Sequence, residues 1–124
     1  MNVVDSSGWL EYFANAPNAS FFTPAIHAPS ELLVPTISLY EVFRKILQET
    51  SEEEALQAVA WMMQGSVADL TPAIALSAAS LSLQLKLPMA DSLMLATAQA
   101  HKATFWTQDA DFEHIPGVRY VRKT

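Results

Sequence analysis

Short strand-like runs alternating with helix-like segments constrain this chain more than any other feature it carries. Residues 2–5 form a brief apolar opening, sized for a short buried strand. Residues 6–15 follow with Trp9, Leu10 and Phe13 at helical spacing. Pro17, Pro24 and Pro29 interrupt residues 16–30, which predicts loop or broken helix there. Residues 31–34 read as a second strand, and residues 38–48 as a helix with Leu39, Val42, Phe43, Ile46 and Leu47 on one face. The next helix opens at a Ser51–Glu54 capping box, with the Glu52 to Glu54 run as its solvated start, and stops at Gly65. Residues 66–70 are a weak third strand. Thr71 caps a helix with Pro72 at its first position, and another helix runs from Pro88 through Ala100. Residues 104–107 give a fourth strand and residues 118–122 a fifth. The fifth alternates apolar and basic residues, which suits a sheet edge with one wet face. Strands separated by helices predict an α/β fold with a mainly parallel sheet and helices on both faces.

At 124 residues the chain fits one domain, residues 1–124, with enough length to bury a core. A hydrophobic share of 51% and a charged share of 16% exclude a disordered polymer. No long run lacks polar groups, so no transmembrane helix is expected. The N-terminus has no basic stretch ahead of an apolar one, so no signal peptide is expected either. The absence of cysteine excludes disulfides, thiolate metal sites and a cysteine nucleophile. These features predict a cytoplasmic protein with no membrane association. The net charge of −6 makes the surface a poor general binder of polyanions, so any handling of nucleic acid needs a local device such as a divalent cation.

In a parallel α/β sheet, ligands bind beyond the carboxyl ends of the strands. Asp5, Glu41, Asp91, Asp109 and Asp111 fall at such places: after the first strand, in the first turns of two helices, and just past the fourth strand. Each has a structural alternative. Asp5 can cap the first helix, and Ser38 with Glu41 fits a capping box. Asp91 gains from the helix dipole, and Asp109 and Asp111 suit a turn. Jointly, four carboxylates at one edge are costly without counter-charge. A hard divalent cation, Mg²⁺ or Mn²⁺, is the economical way to hold them, since His27, His101 and His114 are scattered. His101 ends a helix and is expected to cap it. No nucleophile elbow, P-loop or dinucleotide-binding glycine motif is present. Trp9, Tyr12 and Phe13 could stack on bases, but their spacing favours core packing.

With these residues in view, the chain resembles PIN-domain ribonucleases, and within them the VapC-type toxins of toxin–antitoxin pairs. The resemblance rests on residues 3–7 (VVDSS), 38–42 (SLYEV), 90–93 (ADSL) and 107–112 (TQDADF), in that order and spacing. It implies a three-layer α/β/α sandwich. It implies Asp5, Glu41, Asp91 and Asp109 as an acidic catalytic and metal-binding quartet, with Asp111 as an auxiliary metal-binding acid. Ser6 and Thr107 match supporting hydroxyls. It further implies an Mg²⁺- or Mn²⁺-dependent endoribonuclease that hydrolyses RNA with an activated water, a homodimer, and a cognate antitoxin whose tail blocks the site. Arg44, Lys45 and Lys102 are candidates for RNA phosphate contacts. Trp61, Met62 and Met63 are consecutive on a helix and so about 100° apart, which leaves at least one facing outward. That predicts a binding face including Trp61 or Met62, for the second copy or the antitoxin. The rival readings are a phosphatase or phosphoacceptor domain working through Asp5, which would want an acid where Ser7 stands, and a non-catalytic binding module.

Overall fold

The computed structural model describes residues 1–124. The strands are β1 (Asn2–Val4), β2 (Leu33–Pro35), β3 (Ser66–Ala68), β4 (Thr104–Thr107) and β5 (Val118–Tyr120). All pairings are parallel. β1, β4 and β5 form one ladder, β2 and β3 another, and the Asn2–Leu32 bridge joins them. The order across the sheet is therefore β3-β2-β1-β4-β5. Chain connections run one way from β1 to β3 and then cross to the other side of β1, so the switch point lies between β1 and β4.

Side chains alternate across the strands and split the core in two. Val4, Val34 and Trp106 face one layer, which they share with Trp9, Phe22, Ile26, Val42, Ala58 and Met62. Those partners come from α1 (Ser6–Phe13), α2 (Ala19–Ile26), α3 (Thr36–Glu49) and α4 (Glu52–Met62). Val3, Leu33 and Phe105 face the opposite layer, against Leu87, Met94, Leu95 and Phe112. That layer is built on α6 (Met89–Ala100), with α5 (Pro72–Leu85) packed outside it. The result is the three-layer sandwich. Strands buried on both faces read as apolar runs, as parallel sheets require.

Local signals account for the element ends. The Ser51 hydroxyl accepts the Glu54 N–H at 3.2 Å, and the Thr71 hydroxyl accepts that of Ile74 at 3.2 Å, so both predicted caps form. His101 takes the C-cap position of α6. The Pro-rich stretch holds more helix than its prolines suggest. Pro24 lies inside α2, where the carbonyl it cannot serve, that of Ser20, is on an exposed residue. Gly8 is required where α1 meets the sheet. A Cβ there would lie 2.6 Å from the Phe22 ring and 2.8 Å from Val4. No single helix is long and apolar enough to cross a membrane.

Candidate active site

The switch point opens a cleft at the carboxyl ends of β1 and β4, as open α/β sheets predict. Its volume is about 500 Å³, and its walls include Asp5, Ser6, Ser7, Glu41, Asp91 and Asp109, with Tyr40, Arg44 and Lys45. Four acids from four separate segments are thus brought together.

Asp5 is buried directly after β1. Its carboxylate does not cap α1. Instead Oδ2 accepts the hydroxyls of Thr107, at 2.7 Å, and Ser7, at 3.1 Å. The Thr107 hydroxyl also accepts the Asp109 N–H at 2.9 Å, which orients its own proton toward Asp5. Oδ2 is engaged twice and Oδ1 is left for the cleft. Ser6 was the expected supporting hydroxyl. It donates instead to the Met94 sulfur at 3.4 Å, and Ser7 takes its place.

Glu41 is not a capping residue. α3 begins at Thr36 after Pro35, so Ser38 lies inside the helix, fully buried, with its hydroxyl unpartnered. The displaced register puts Glu41 in the second turn, half-buried on the cleft wall. Asp91 lies in the first turn of α6. Asp109 does serve its turn, accepting the Asp111 N–H at 2.9 Å, while still lining the cleft. Asp111 is exposed and outside the cleft wall.

The electrostatics are unfavourable as they stand. Burial pushes the Asp5 carboxyl above its ordinary range. The Thr107 and Ser7 hydrogen bonds oppose that rise, and the charges of Asp109 and Glu41 add to it. Burial, followed by the charges of Asp5, Asp109, Glu41 and Asp111, raises Asp91 to about 7. Neither Arg44 nor Lys45 is ion-paired to the acids; Lys45 pairs with Glu49 at 2.8 Å. No three acidic or histidine side chains stand close enough to grip one ion directly. The donor set is all oxygen and strongly anionic. That suits Mg²⁺ or Mn²⁺, which keep several waters and need only one or two direct carboxylates.

Other candidates land elsewhere. Lys102 precedes β4, at the opposite end of the sheet from the acids, and adopts φ 52° as α6 terminates. It is not placed to contact phosphate in this cleft. Met62 is fully buried, which removes it from any binding face, whereas Trp61 is exposed. Trp9 is buried in the core, and Tyr12 and Phe13 pack against it.

The sequence reading missed a second polar cluster beside the cleft. The Gln108 side chain accepts from Asn18 at 2.9 Å and donates to Glu11 at 3.1 Å and to the Ser7 carbonyl at 3.4 Å. Glu11 also accepts the Asn18 N–H at 2.8 Å, and the Asn18 amide donates to the Arg122 carbonyl at 3.0 Å. An amide directly before Asp109 was the one available signal. A groove of about 690 Å³ continues from the cleft through Ser7, Leu10 and Lys45. It is lined by Tyr12, Phe13, Ile46 and Trp61, with Glu11, Glu49 and Glu54 among its acids.

A profile of the PIN domain matches residues 3–118. Among solved structures, the chain is similar to a toxin–antitoxin complex from Klebsiella pneumoniae, at 24% identity and a TM-score of 0.80, covering 96% of each chain. It is also similar to VapC20 of Mycobacterium tuberculosis, a sarcin–ricin loop cleaving toxin, at 15% identity and a TM-score of 0.78, covering 94% of this chain and 95% of that one. DNA-bound VapBC from Salmonella typhimurium matches at 18% identity and a TM-score of 0.75, covering 98% of this chain and 96% of that one. No curated protein matches the sequence significantly.

Proposed function

The chain belongs to the PIN-domain family, and from that premise we propose that it is a single-domain, divalent-metal-dependent endoribonuclease, the toxin of a toxin–antitoxin pair acting in the cytoplasm. The observation that carries the reading is the convergence of Asp5, Glu41, Asp91 and Asp109 on one cleft at the switch point of the sheet. Burial first, and their mutual repulsion after it, raise Asp91, and a bound cation would relieve that cost.

Asp5, Asp91 and Asp109 would hold the cation, directly or through water, with Asp111 as an outer acid. Mg²⁺ or Mn²⁺ held there supplies positive charge to the scissile phosphate and lowers the pKa of a nearby water. Glu41, which also lines the cleft, would orient the attacking water. The water oxygen bonds to phosphorus and gives up a proton to solvent as the P–O3′ bond breaks, and the departing 3′-oxygen takes up a proton from solvent to become a hydroxyl. Thr107 and Ser7 fix the Asp5 carboxylate so that Oδ1 stays turned to the cleft. Arg44 and Lys45 meet the RNA backbone.

The adjoining groove suits the antitoxin. Its lining joins Tyr12, Phe13, Ile46 and Trp61 to three acids and to Lys45 and Lys123, which favours a protein segment that is apolar with an arginine able to reach the carboxylates of the cleft. Trp61 is the anchor on this side. The homodimer is assigned to α5. That helix carries no charged residue and exposes Leu76 and Leu83 two turns apart, so two chains of net charge −6 can meet there without opposing carboxylates.

The test is cleavage of labelled single-stranded RNA by the purified chain in Mn²⁺, in Mg²⁺ and in EDTA, with a small phosphate ester as a parallel substrate. Cleavage of RNA alone, dependent on metal, is the expected result. Equal activity in EDTA, or hydrolysis of the ester in place of RNA, overturns the reading.

A further inference from the structure

Tyr40 is 62% exposed, yet it sits in the wall of the carboxylate cleft. The other two tyrosines are otherwise engaged. The Tyr12 hydroxyl lies 2.6 Å from His27 Nε2, and Tyr120 is half-buried in the edge strand. Tyr40 joins none of the three core clusters, so its ring is not part of the core. One turn further along α3, on the same wall, stands Arg44, exposed and without an ion pair. Residues four apart on a helix have Cβ atoms about 5–6 Å apart, comparable to one step along a nucleic-acid strand.

A chain of net charge −6 whose cleft is lined by carboxylates gains little from long-range attraction to RNA. Stacking of a base on an aromatic ring does not depend on net charge, because every base has a π-face. A single unpaired cation beside the ring then suffices to meet one phosphate. We propose that Tyr40 and Arg44 form a nucleotide clamp, in which the Tyr40 ring stacks on an unpaired base next to the scissile phosphate and Arg44 contacts an adjoining phosphate. This rests on the ribonuclease reading. Tyr40 is then a specificity-determining residue, since a base held in a duplex cannot present its face to the ring.

The test combines protein and substrate changes. Cleavage of a short unstructured RNA in Mn²⁺ is measured for wild type, Tyr40→Phe and Tyr40→Leu. The same RNA is also used with single abasic positions around its cleavage site. Binding is measured in Mn²⁺ by fluorescence anisotropy, on the same RNA carrying a non-cleavable linkage at its cleavage site. Tyr40→Leu should raise KM and weaken binding roughly tenfold, and Tyr40→Phe should restore both. One abasic position should cost wild type a similar factor and cost Tyr40→Leu nothing further. Wild-type-like cleavage by Tyr40→Leu, or additive losses at every abasic position, overturns the clamp while leaving the nuclease reading intact. The clamp is also overturned if Tyr40→Leu keeps wild-type cleavage but loses self-association, which would make Tyr40 a protein contact. A wild type that neither binds nor cleaves RNA overturns the proposed function, and the clamp with it.

Discussion

Two polar clusters share the carboxyl edge of the sheet, separated by the single peptide bond between Gln108 and Asp109. In the Glu11–Asn18–Gln108 cluster the Gln108 and Asn18 amides are met by partners from α1, the loop before α2 and the C-terminal segment. In the cluster around Asp5 the hydroxyls of Ser7 and Thr107 satisfy one carboxylate oxygen, but the remaining carboxylates face one another without paired cations. A satisfied buried network specifies structure, and its members cost stability when removed. An unsatisfied one costs stability while it is present. The contrast separates polar residues that hold the chain together from carboxylates whose charges oppose one another.

The largest expected effect tests the second cluster. Asp5→Asn or Asp91→Asn should lower RNA cleavage by about a hundredfold or more, because each removes a carboxylate that would hold the cation, where even supporting groups around a metal matter about 10–100-fold. The metal-free melting temperature should hold or rise, because one of the opposed charges is gone. Cleavage within a few-fold of wild type, or a variant that unfolds, would make these acids structural after all.

The first cluster should answer in the opposite way. Gln108→Ala removes the Gln108 bonds to Asn18, Glu11 and the Ser7 carbonyl, although Asn18 keeps the Arg122 carbonyl and Glu11 keeps the Asn18 N–H, and should cost about 1–3 kcal/mol of stability in denaturant melts. Cleavage should fall much less than for Asp5→Asn. If stability is unchanged, the network is ornamental. Gly8→Ala strikes both clusters through their common support, since its methyl group would collide with Phe22 and Val4 and shift α1. A loss of about 1–3 kcal/mol is expected in the same melts.

A smaller effect is visible in pH alone. Asp91 is raised to about 7, so between the ordinary carboxylate range and that value the folded chain keeps a proton that the unfolded chain has released. Metal-free stability should therefore decline as pH rises through this window, and Asp91→Asn should flatten the decline. Stability that instead rises over the same range would contradict the repulsion assigned to the cluster.

The order of elements and the four acids were legible in the sequence because each depends on local signals: apolar runs, caps at Ser51 and Thr71, and acids just past strand ends. What escaped was set by tertiary placement. Ser38 and Glu41 have capping-box spacing, but α3 starts at Thr36, directly after Pro35 at the end of β2. Ser6 and Ser7 are adjacent, and the direction in which α1 leaves Asp5 decides which hydroxyl reaches the carboxylate. Lys102 resembles any surface lysine until the strand following it shows that it lies at the wrong end of the sheet. Met62 and Trp61 differ only in which side of α4 meets the core. The Glu11–Asn18–Gln108 cluster joins residues about ninety positions apart by Asn18–Gln108 contact, and no local pattern announces such a pairing.

If the unsatisfied cluster exists to hold a cation, thermal melts with and without Mn²⁺ should show it. For wild type at a hundredfold excess over Kd, binding to the folded state alone adds about 2.7 kcal/mol, and the melting temperature should rise accordingly. Gln108→Ala, though less stable, should keep that rise, and Asp5→Asn should lose most of it. A wild type that shows no Mn²⁺-dependent shift at concentrations supporting cleavage, or an Asp5→Asn variant that shifts as wild type does, would contradict the claim.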